Sequence, residues 1–358
     1  MPTSSGATPD AATSDAYAEG SHVAGEPLDL LVLGGTSWLG GAVARGAIAA
    51  GHRVTCLARG EAGEPPAGVA WVRADRWAPG AYDEVAGRQW DAVVDVSWQP
   101  DLVRSAVEAL GSRARHWVYV SSASVYDDDS TPDCDETAST HAPHAGAGPV
   151  DIESYGPAKV ACEQACLALG TGRVLIARAG LIVGYGDRSD RMGYWPGRAA
   201  RAGSGEEVLA PPLDAPAQVI DVDDLAGWLV HGCEHATAGV FNANGDQVSV
   251  GLLLEASASV AGAEPAYVEV TDEWLIEHGV APWAGPDSLP MWLPQAEYAG
   301  FMTRSNRAAK AAGLRLRPLE ESVRASLRWE RERGLDRGRQ AGLTPGREAE
   351  LLRARRAG

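Results

Sequence analysis

The stretch Leu28-Asp29-Leu30-Leu31-Val32-Leu33, Gly34-Gly35-Thr36-Ser37-Trp38-Leu39-Gly40, Gly41-Ala42-Val43-Ala44-Arg45-Gly46-Ala47-Ile48-Ala49-Ala50 decides the fold. An apolar strand that breaks on paired glycines and enters an Ala-rich helix brings backbone N–H groups and a helix N-terminus to one point. That point suits a pyrophosphate. Ordinary βα turns also use glycine where positive φ is needed, so the sequence downstream has to discriminate.

Downstream, short apolar runs alternate with helical stretches. Val54 to Ala58, Val69 to Arg73, Ala92 to Val96, His116 to Ser121 and Arg173 to Ala177 read as strands two to six, with helices notably over Pro100 to Leu110 and Ser154 to Leu169. Near-continuous apolar strands separated by helices imply a parallel sheet covered on both faces. The expected class is α/β, a doubly wound parallel Rossmann sheet, here with a smaller C-terminal α/β substrate lobe.

Bulk properties agree and exclude other classes. A chain of 358 residues, 45% hydrophobic and 22% charged, can bury a large core. The net charge of −17 argues against a nucleic-acid binder, which needs a basic face to displace counterions. Residues 1–26 are rich in Ala, Ser, Thr, Gly and Pro and read as a disordered tail without signal-peptide or transit-peptide features. No segment has the run of about 18 apolar residues that a membrane span needs, so a cytoplasmic protein without a membrane partner is expected. Five cysteines without a CxxC pair suggest neither a disulfide framework nor a zinc site. His231, Cys233 and His235 share one helical stretch, but with no carboxylate or fourth ligand assigned to them no metal is expected.

In a doubly wound sheet the ligand crevice forms at the C-terminal strand ends. Those ends carry the glycine turn, Ala58-Arg59, Ala74-Asp75-Arg76, Ser97-Trp98 and Ser121-Ser122-Ala123-Ser124. The end of the second strand discriminates cofactors: an acid there binds the ribose 2′-OH of NAD, and a cation meets the 2′-phosphate of NADP. Ala58 stands at the acid's place and Arg59 follows, which favours NADP(H) and leaves NAD(H) open.

Tyr155-Gly156-Pro157-Ala158-Lys159 opens a helix, with Ser154 a candidate N-cap and Pro157 confined to the first turn. Tyr155 and Lys159, at i and i+4, project from one face. A phenol with a fixed ammonium beside it can exchange a proton with a substrate hydroxyl or carbonyl.

The ordered set of glycine turn, Ser122, Tyr155 and Lys159 resembles the extended branch of the short-chain dehydrogenase/reductases, the NAD(P)-dependent epimerase/dehydratase family. The resemblance runs from about Leu28 to Leu319 and includes Val118-Tyr119-Val120-Ser121-Ser122-Ala123-Ser124-Val125-Tyr126, Arg178 to Gly186 and Val219 to Ala226. It implies that Ser122 hydrogen-bonds the reacting oxygen, Tyr155 exchanges the proton and Lys159 holds the nicotinamide ribose. It also implies that Gly34, Thr36, Ser37, Trp38, Leu39 and Gly40 line the pyrophosphate turn and that Asp75 reaches the adenine. Arg59, Arg76, Ser97 and Ala179 complete the expected cofactor set.

Departures from the family pattern carry information. Ser37 replaces the middle glycine, and Trp38-Leu39 replaces the usual Phe-Ile. Ala179 and Tyr185 replace prolines. Ala123 and Ser124 stand where the family's dehydratases carry an acidic pair, so sugar dehydration is not expected.

Candidate substrate residues are Ser124, His144 in the turn-rich 127–153 loop, and Arg188, Arg191, Tyr194 and Trp195 after Gly184. Arginines there could grip a carboxylate or phosphate and aromatics could cover a ring. Trp274, Trp283 and Trp292 are expected to pack the C-terminal lobe. The expected organisation is a Rossmann domain over 27–180 with returning segments near 217–245, a substrate lobe over 181–216 and 246–335, and a helical tail over 336–358. The helix from Ser154 to Leu169 is apolar on more than one face, so a lobe or a second subunit should cover it, and a homodimer is possible. Three functions fit: an NADP(H)-dependent reductase or dehydrogenase acting on a small-molecule carbonyl or alcohol, which is preferred; a nucleotide-sugar epimerase retaining NAD; and a dinucleotide-sensing module without catalysis.

Overall fold

The computed structural model describes residues 26–357; the tail expected over 1–26 lies outside them but for Glu26. Six strands follow the sequence reading closely: β1 (Asp29–Leu33), β2 (Arg53–Ala58), β3 (Ala70–Arg73), β4 (Trp90–Asp95), β5 (Ala114–Ser122) and β6 (Val174–Ala179). β7 (Leu181–Val183), β8 (Glu207–Ala210) and β9 (Pro216–Asp221) leave this sheet, and β10 (Gly239–Ala243) returns to it as a seventh strand. Its Gly and Asn have low strand propensity and gave no strand signal, but it pairs on the outside of β6.

All seven strands are parallel, in the order β10-β6-β5-β4-β1-β2-β3. The order reverses between β4 and β1, which opens a crevice at their C-terminal ends. Alternation along β1 explains the layers: Leu30 and Val32 face α1 (Trp38–Ala49), while Leu31 and Leu33 face the opposite core. After the short α2 (Asp83–Ala86), that second core is closed by α3 (Pro100–Leu110) and α4 (Tyr155–Leu167).

The other elements form a third core. It contains α5 (Arg191–Arg201), then, after α6 (Val222–Glu234) has packed on α1, α7 (Val250–Ala261) with β11 (Gln247–Ser249) and β12 (Ala266–Glu269). β13 (Ala281–Trp283) and β14 (Ser288–Pro290) pair in parallel at its edge. The terminal helix Pro345–Ala357 is docked on this core. Thr344 Oγ1 accepts from Arg347 N at 3.2 Å, and buried Glu348 accepts from Arg198 Nε at 2.7 Å and Leu209 N at 3.1 Å. Among the described residues, no helix is long and apolar enough to cross a membrane.

The apolar character of α4 is satisfied within the chain. It packs on α3 and β5, and Gly156 sits close under the Ser124 carbonyl and the His141 ring. Ser154 occupies the N-cap position, but its side chain makes no capping hydrogen bond, because the turn Ile152–Ser154 leads straight into the helix. Arg178 on β6 donates from Nε and Nη2 to the two carboxylate oxygens of Glu163 on α4, at 3.0 and 2.8 Å.

Buried His116 on β5 generates a stability prediction. Burial pushes its pKa from the ordinary 6.5 down to about 4, and its side chain is 3% exposed. Between those values the unfolded chain binds the extra proton, so the contribution is complete above pH 6.5 and is lost as pH falls toward 4. The loss should be on the order of 3 kcal/mol. Urea midpoints should drop across that window in the parent and fall less in His116→Leu; equal slopes would exclude His116 as the cause.

Candidate active site

The glycine turn is built around contacts that only small residues permit. Gly34 has φ +90°, and its N–H donates to Leu57 O at 2.9 Å, fixing the turn to β2. A Cβ on Gly40 would collide with the Gly34 carbonyl, and one on Gly35 with the Cys56 thiol. Ser37, the departure from the glycine pattern, is the N-cap of α1: its Oγ accepts from Gly40 N at 3.1 Å. The helix therefore begins at Trp38, inside the turn, and presents its N-terminal N–H groups there.

Gly35, Thr36, Ser37 and Trp38 line a cleft of about 790 Å³, with Tyr185 and Trp329 opposite. Arg45, Arg188 and Arg328 are its cations. Arg45 folds back along α1, with Nη1 3.5 Å from where a Cβ on Gly41 would lie. A Rossmann turn, a helix N-terminus and a cleft of this size fit a dinucleotide.

A second cavity of about 420 Å³ adjoins it, since Trp38 lines both. Ser122, Ser124, Tyr155, Ala179 and Arg191 face this cavity, with Trp283, Phe301 and Met302 on its far wall. Ser122 Oγ donates to Ser124 Oγ at 3.1 Å and accepts from Ser124 N. Lys159 is buried one turn along α4 from Tyr155; its Nζ donates to Val120 O at 2.6 Å and Ser97 O at 3.1 Å and lies 5.9 Å from the Tyr155 ring centre. Two of its three N–H groups are thus held by the strand ends. Trp98 contacts the Tyr155 ring, with centroids 5.5 Å apart.

Two cations of the expected cofactor set are engaged elsewhere. Arg76 does not face the crevice as a free cation: it is buried and paired with Asp95 at 2.7 and 2.9 Å, with further donation to Leu102 O and Tyr82 Oη. The Arg59 guanidinium turns to Glu61 at 2.9 Å on the surface and does not line the cleft. Asp75 is exposed and caps its own turn, accepting from Trp77 N at 3.0 Å. The Leu39 side chain packs into the sheet core, leaving only backbone at the turn. Ser97 offers its carbonyl to Lys159 and to Tyr119 Oη.

In the expected substrate set, Tyr194 and Trp195 belong to the core around α5 and α7; Trp195 Nε1 donates to Pro290 O at 2.9 Å. Their rings are packed in that core, and neither lines the cleft or the smaller cavity. Arg188 lies in the dinucleotide cleft instead of the smaller cavity. His144 sits outside both, its backbone N–H donating to Pro157 O at 2.9 Å. Arg45, Trp283, Phe301 and Met302 line the cavities without having been singled out as ligand contacts, because only tertiary packing brings them there. The histidines of α6 do acquire a carboxylate: ligand atoms of His231, Glu234 and His235 lie within 4.8 Å of one another, and Glu234 accepts from His52 Nε2 at 3.0 Å. This group lines neither cavity.

The geometry defines a doubly wound dinucleotide-binding protein with a hydroxyl-lined cavity beside its glycine turn. The chain belongs to the NAD dependent epimerase/dehydratase family, whose model matches residues 30–243. Solved structures share the fold. The Bordetella bronchiseptica enzyme WbmH in complex with NAD+ is 17% identical at TM-score 0.61, covering 86% of this chain and 99% of its own. UDP-glucose 4-epimerase from Thermotoga maritima, with UDP-glucose, is 15% identical at TM-score 0.60, with the same coverage of each chain. A candidate epimerase from Burkholderia cenocepacia is 22% identical at TM-score 0.65, again covering 86% and 99%. No curated protein matches the chain.

Gly40→Ala tests the turn. The added methyl meets the Gly34 carbonyl, backbone that cannot rotate away, so dinucleotide affinity should fall at least about tenfold, which is about 1.4 kcal/mol. Isothermal titration with NAD+ and NADP+ measures this; unchanged affinity for both would remove the turn from the binding site.

Proposed function

We propose that the protein is an NAD(P)(H)-dependent oxidoreductase of the extended short-chain type, moving a hydride to or from a small carbonyl or alcohol. One observation carries this reading: Ser122 and Tyr155 face one cavity, with Lys159 held beneath them, and Trp38 joins that cavity to the glycine-turn cleft. When bound, the nicotinamide supplies or accepts the hydride. The Ser122 hydroxyl donates a hydrogen bond to the reacting oxygen. Tyr155 Oη gives that oxygen a proton in reduction and removes one in oxidation. Lys159, with two N–H groups fixed on Val120 and Ser97, turns the third toward the ribose and the phenol.

NADP(H) is the preferred cofactor in this reading. Its support moves from Arg59, paired with Glu61, to Arg45, which lies in the cleft beside the loop that follows β2. An epimerase reading is favoured by one observation of its own. The Trp38 Nε1 donates to Tyr185 O at 2.8 Å across the cleft mouth, a contact suited to a cofactor retained through the cycle.

Tyr155→Phe should keep cofactor affinity within about twofold and lower turnover at least about a hundredfold, in the range removed with a general acid. Undiminished turnover would exclude Tyr155 as the proton donor. Arg45→Ala should weaken NADPH about tenfold and NADH little, as loss of one phosphate contact predicts. Dialysis followed by cofactor analysis separates the readings: free exchange supports the oxidoreductase, and tightly held NAD the epimerase.

A further inference from the structure

Arg191 is the cation among the residues that line the smaller cavity, and no Asp or Glu lines it. Among the described residues it forms no ion pair, in a chain where most buried arginines do. Of the acids beside it in sequence, neither forms an ion pair with it. Asp190 accepts from Arg333 Nη1 at 2.8 Å and Arg337 Nη1 at 3.0 Å; Asp187 is engaged through Oδ1 alone, which accepts from Ser189 N at 2.8 Å, while its Oδ2 is buried without a hydrogen-bond partner. Asp187 acts on Arg191 through space only. The Arg191 Nε is buried without a hydrogen-bond partner, and burial is the main cause lowering its pKa. A desolvated guanidinium left unpaired is costly, and an anion in the cavity would relieve that cost.

The residue beneath Arg191 is held in a strained backbone conformation. Trp283 has φ +65°, a left-handed conformation unfavourable for a bulky side chain. Two backbone hydrogen bonds fix it, Trp283 N to Trp292 O at 2.8 Å and Met291 N to Trp283 O at 3.2 Å. This sets the indole 4.9 Å from the Arg191 guanidinium and edge-on to Phe301, with ring centroids 5.2 Å apart. Met302 and Leu181 continue the apolar wall. The Gln218 amide is spent internally, donating to Gly245 O and Arg304 O. The cavity thus offers one fixed cation, three hydroxyls and an apolar wall. At about 420 Å³ it is near the small end of ligand sites.

We propose that the substrate is a small monoanionic oxo or hydroxy acid. Its carboxylate pairs bidentately with Arg191, its apolar or aromatic body lies against Trp283, Phe301 and Met302, and its carbonyl or carbinol carbon faces Ser122 and Tyr155. The inference rests on the oxidoreductase reading. In reduction the hydride of the reduced nicotinamide forms the new C–H bond, and the carbonyl π pair takes the proton of Tyr155 Oη. The products are the hydroxy acid and the oxidised cofactor; oxidation reverses each transfer. Two negative charges, as on a nucleoside diphosphate sugar, would meet only one cation here.

The test uses the full chain saturated with NADP+ or NAD+, so that binding occurs without turnover. Benzoylformate and phenylpyruvate are titrated calorimetrically beside their uncharged methyl esters. Each acid should bind at least about tenfold more tightly than its ester, the preference expected of one charge-assisted contact. Arg191→Met should bring the acids to the level of the esters and leave ester affinity within about twofold, and Arg191→Lys should recover part of the preference. Equal binding of acid and ester, no binding of either acid, or unchanged acid affinity in a folded Arg191→Met protein would overturn the proposal. Turnover with the reduced cofactor separates the two claims. Acid binding through Arg191 without cofactor oxidation supports the anion site and sinks the oxidoreductase reading; equal turnover of acid and ester sinks the anion site alone.

Discussion

The site depends on how α4 is fastened to the ends of β5 and β6. Tyr155, Lys159 and Glu163 fall four residues apart and form one stripe of the helix. Glu163 is clamped by Arg178 of β6 and accepts from Ser121 Oγ of β5 at 2.5 Å, while Lys159 grips the Val120 carbonyl. Successive residues of a strand face opposite sides, so Ser121 turns to α4 and Ser122 to the cavity. Two neighbouring serines therefore do different work, one setting the height of the helix and the other presenting a hydroxyl. Taking the pair of charges out of water costs several kcal/mol per ion before their attraction offsets it, and what the fold gains is a single position for Tyr155 relative to Ser122.

A second constraint joins the two cavities. Because Ser37 caps α1 at Trp38, the indole stands at the first position of the helix and lines both cavities. Its hydrogen bond to Tyr185 O reaches the segment after β7. Tyr185 packs edge-on against Trp329, at 5.2 Å between centroids, and Trp329 Nε1 donates to Asp187 O at 2.7 Å. The helix Leu319–Arg333 thereby leans on the mouth of the dinucleotide cleft. The two substitutions that set this turn apart from its family pattern are one mechanical unit with that helix.

The sheet was legible because its strands are buried on both faces and read as short apolar runs, and the turn because its glycines are forced by backbone contacts. Ser122, Tyr155 and Lys159 were legible as an ordered set. What stayed hidden was the destination of charged and aromatic side chains. Arg76 and Asp95 are nineteen residues apart with a helix between them, so their pairing has no local signature. Tyr194 and Trp195 have the composition of a ligand-covering pair, but α5 turns both into the core. Trp283 carried the opposite expectation, of packing alone, and only its left-handed backbone sets its ring into the cavity wall. Side chains in a continuous hydrophobic period could be placed from sequence; those whose partners lie across the fold could not.

The distribution of arginines then becomes informative. The chain carries a net charge of −17, and its buried guanidinia are largely neutralised, as in Arg178 with Glu163, Arg198 with Glu348 and Arg304 with Asp129. Half-buried Arg191 and the exposed Arg45, Arg188 and Arg328 form no ion pair among the described residues, and all four line one of the two adjoining cavities. Acidic surroundings repel anionic ligands at long range, so the local positive potential has to be supplied inside the clefts, where low-dielectric walls focus it. In the larger cleft Arg45, Arg188 and Arg328 stand with Glu64 and Asp223, whereas in the smaller Arg191 faces no lining acid. The smaller cavity is thus the one whose cation is unopposed along its lining, which suits a single carboxylate.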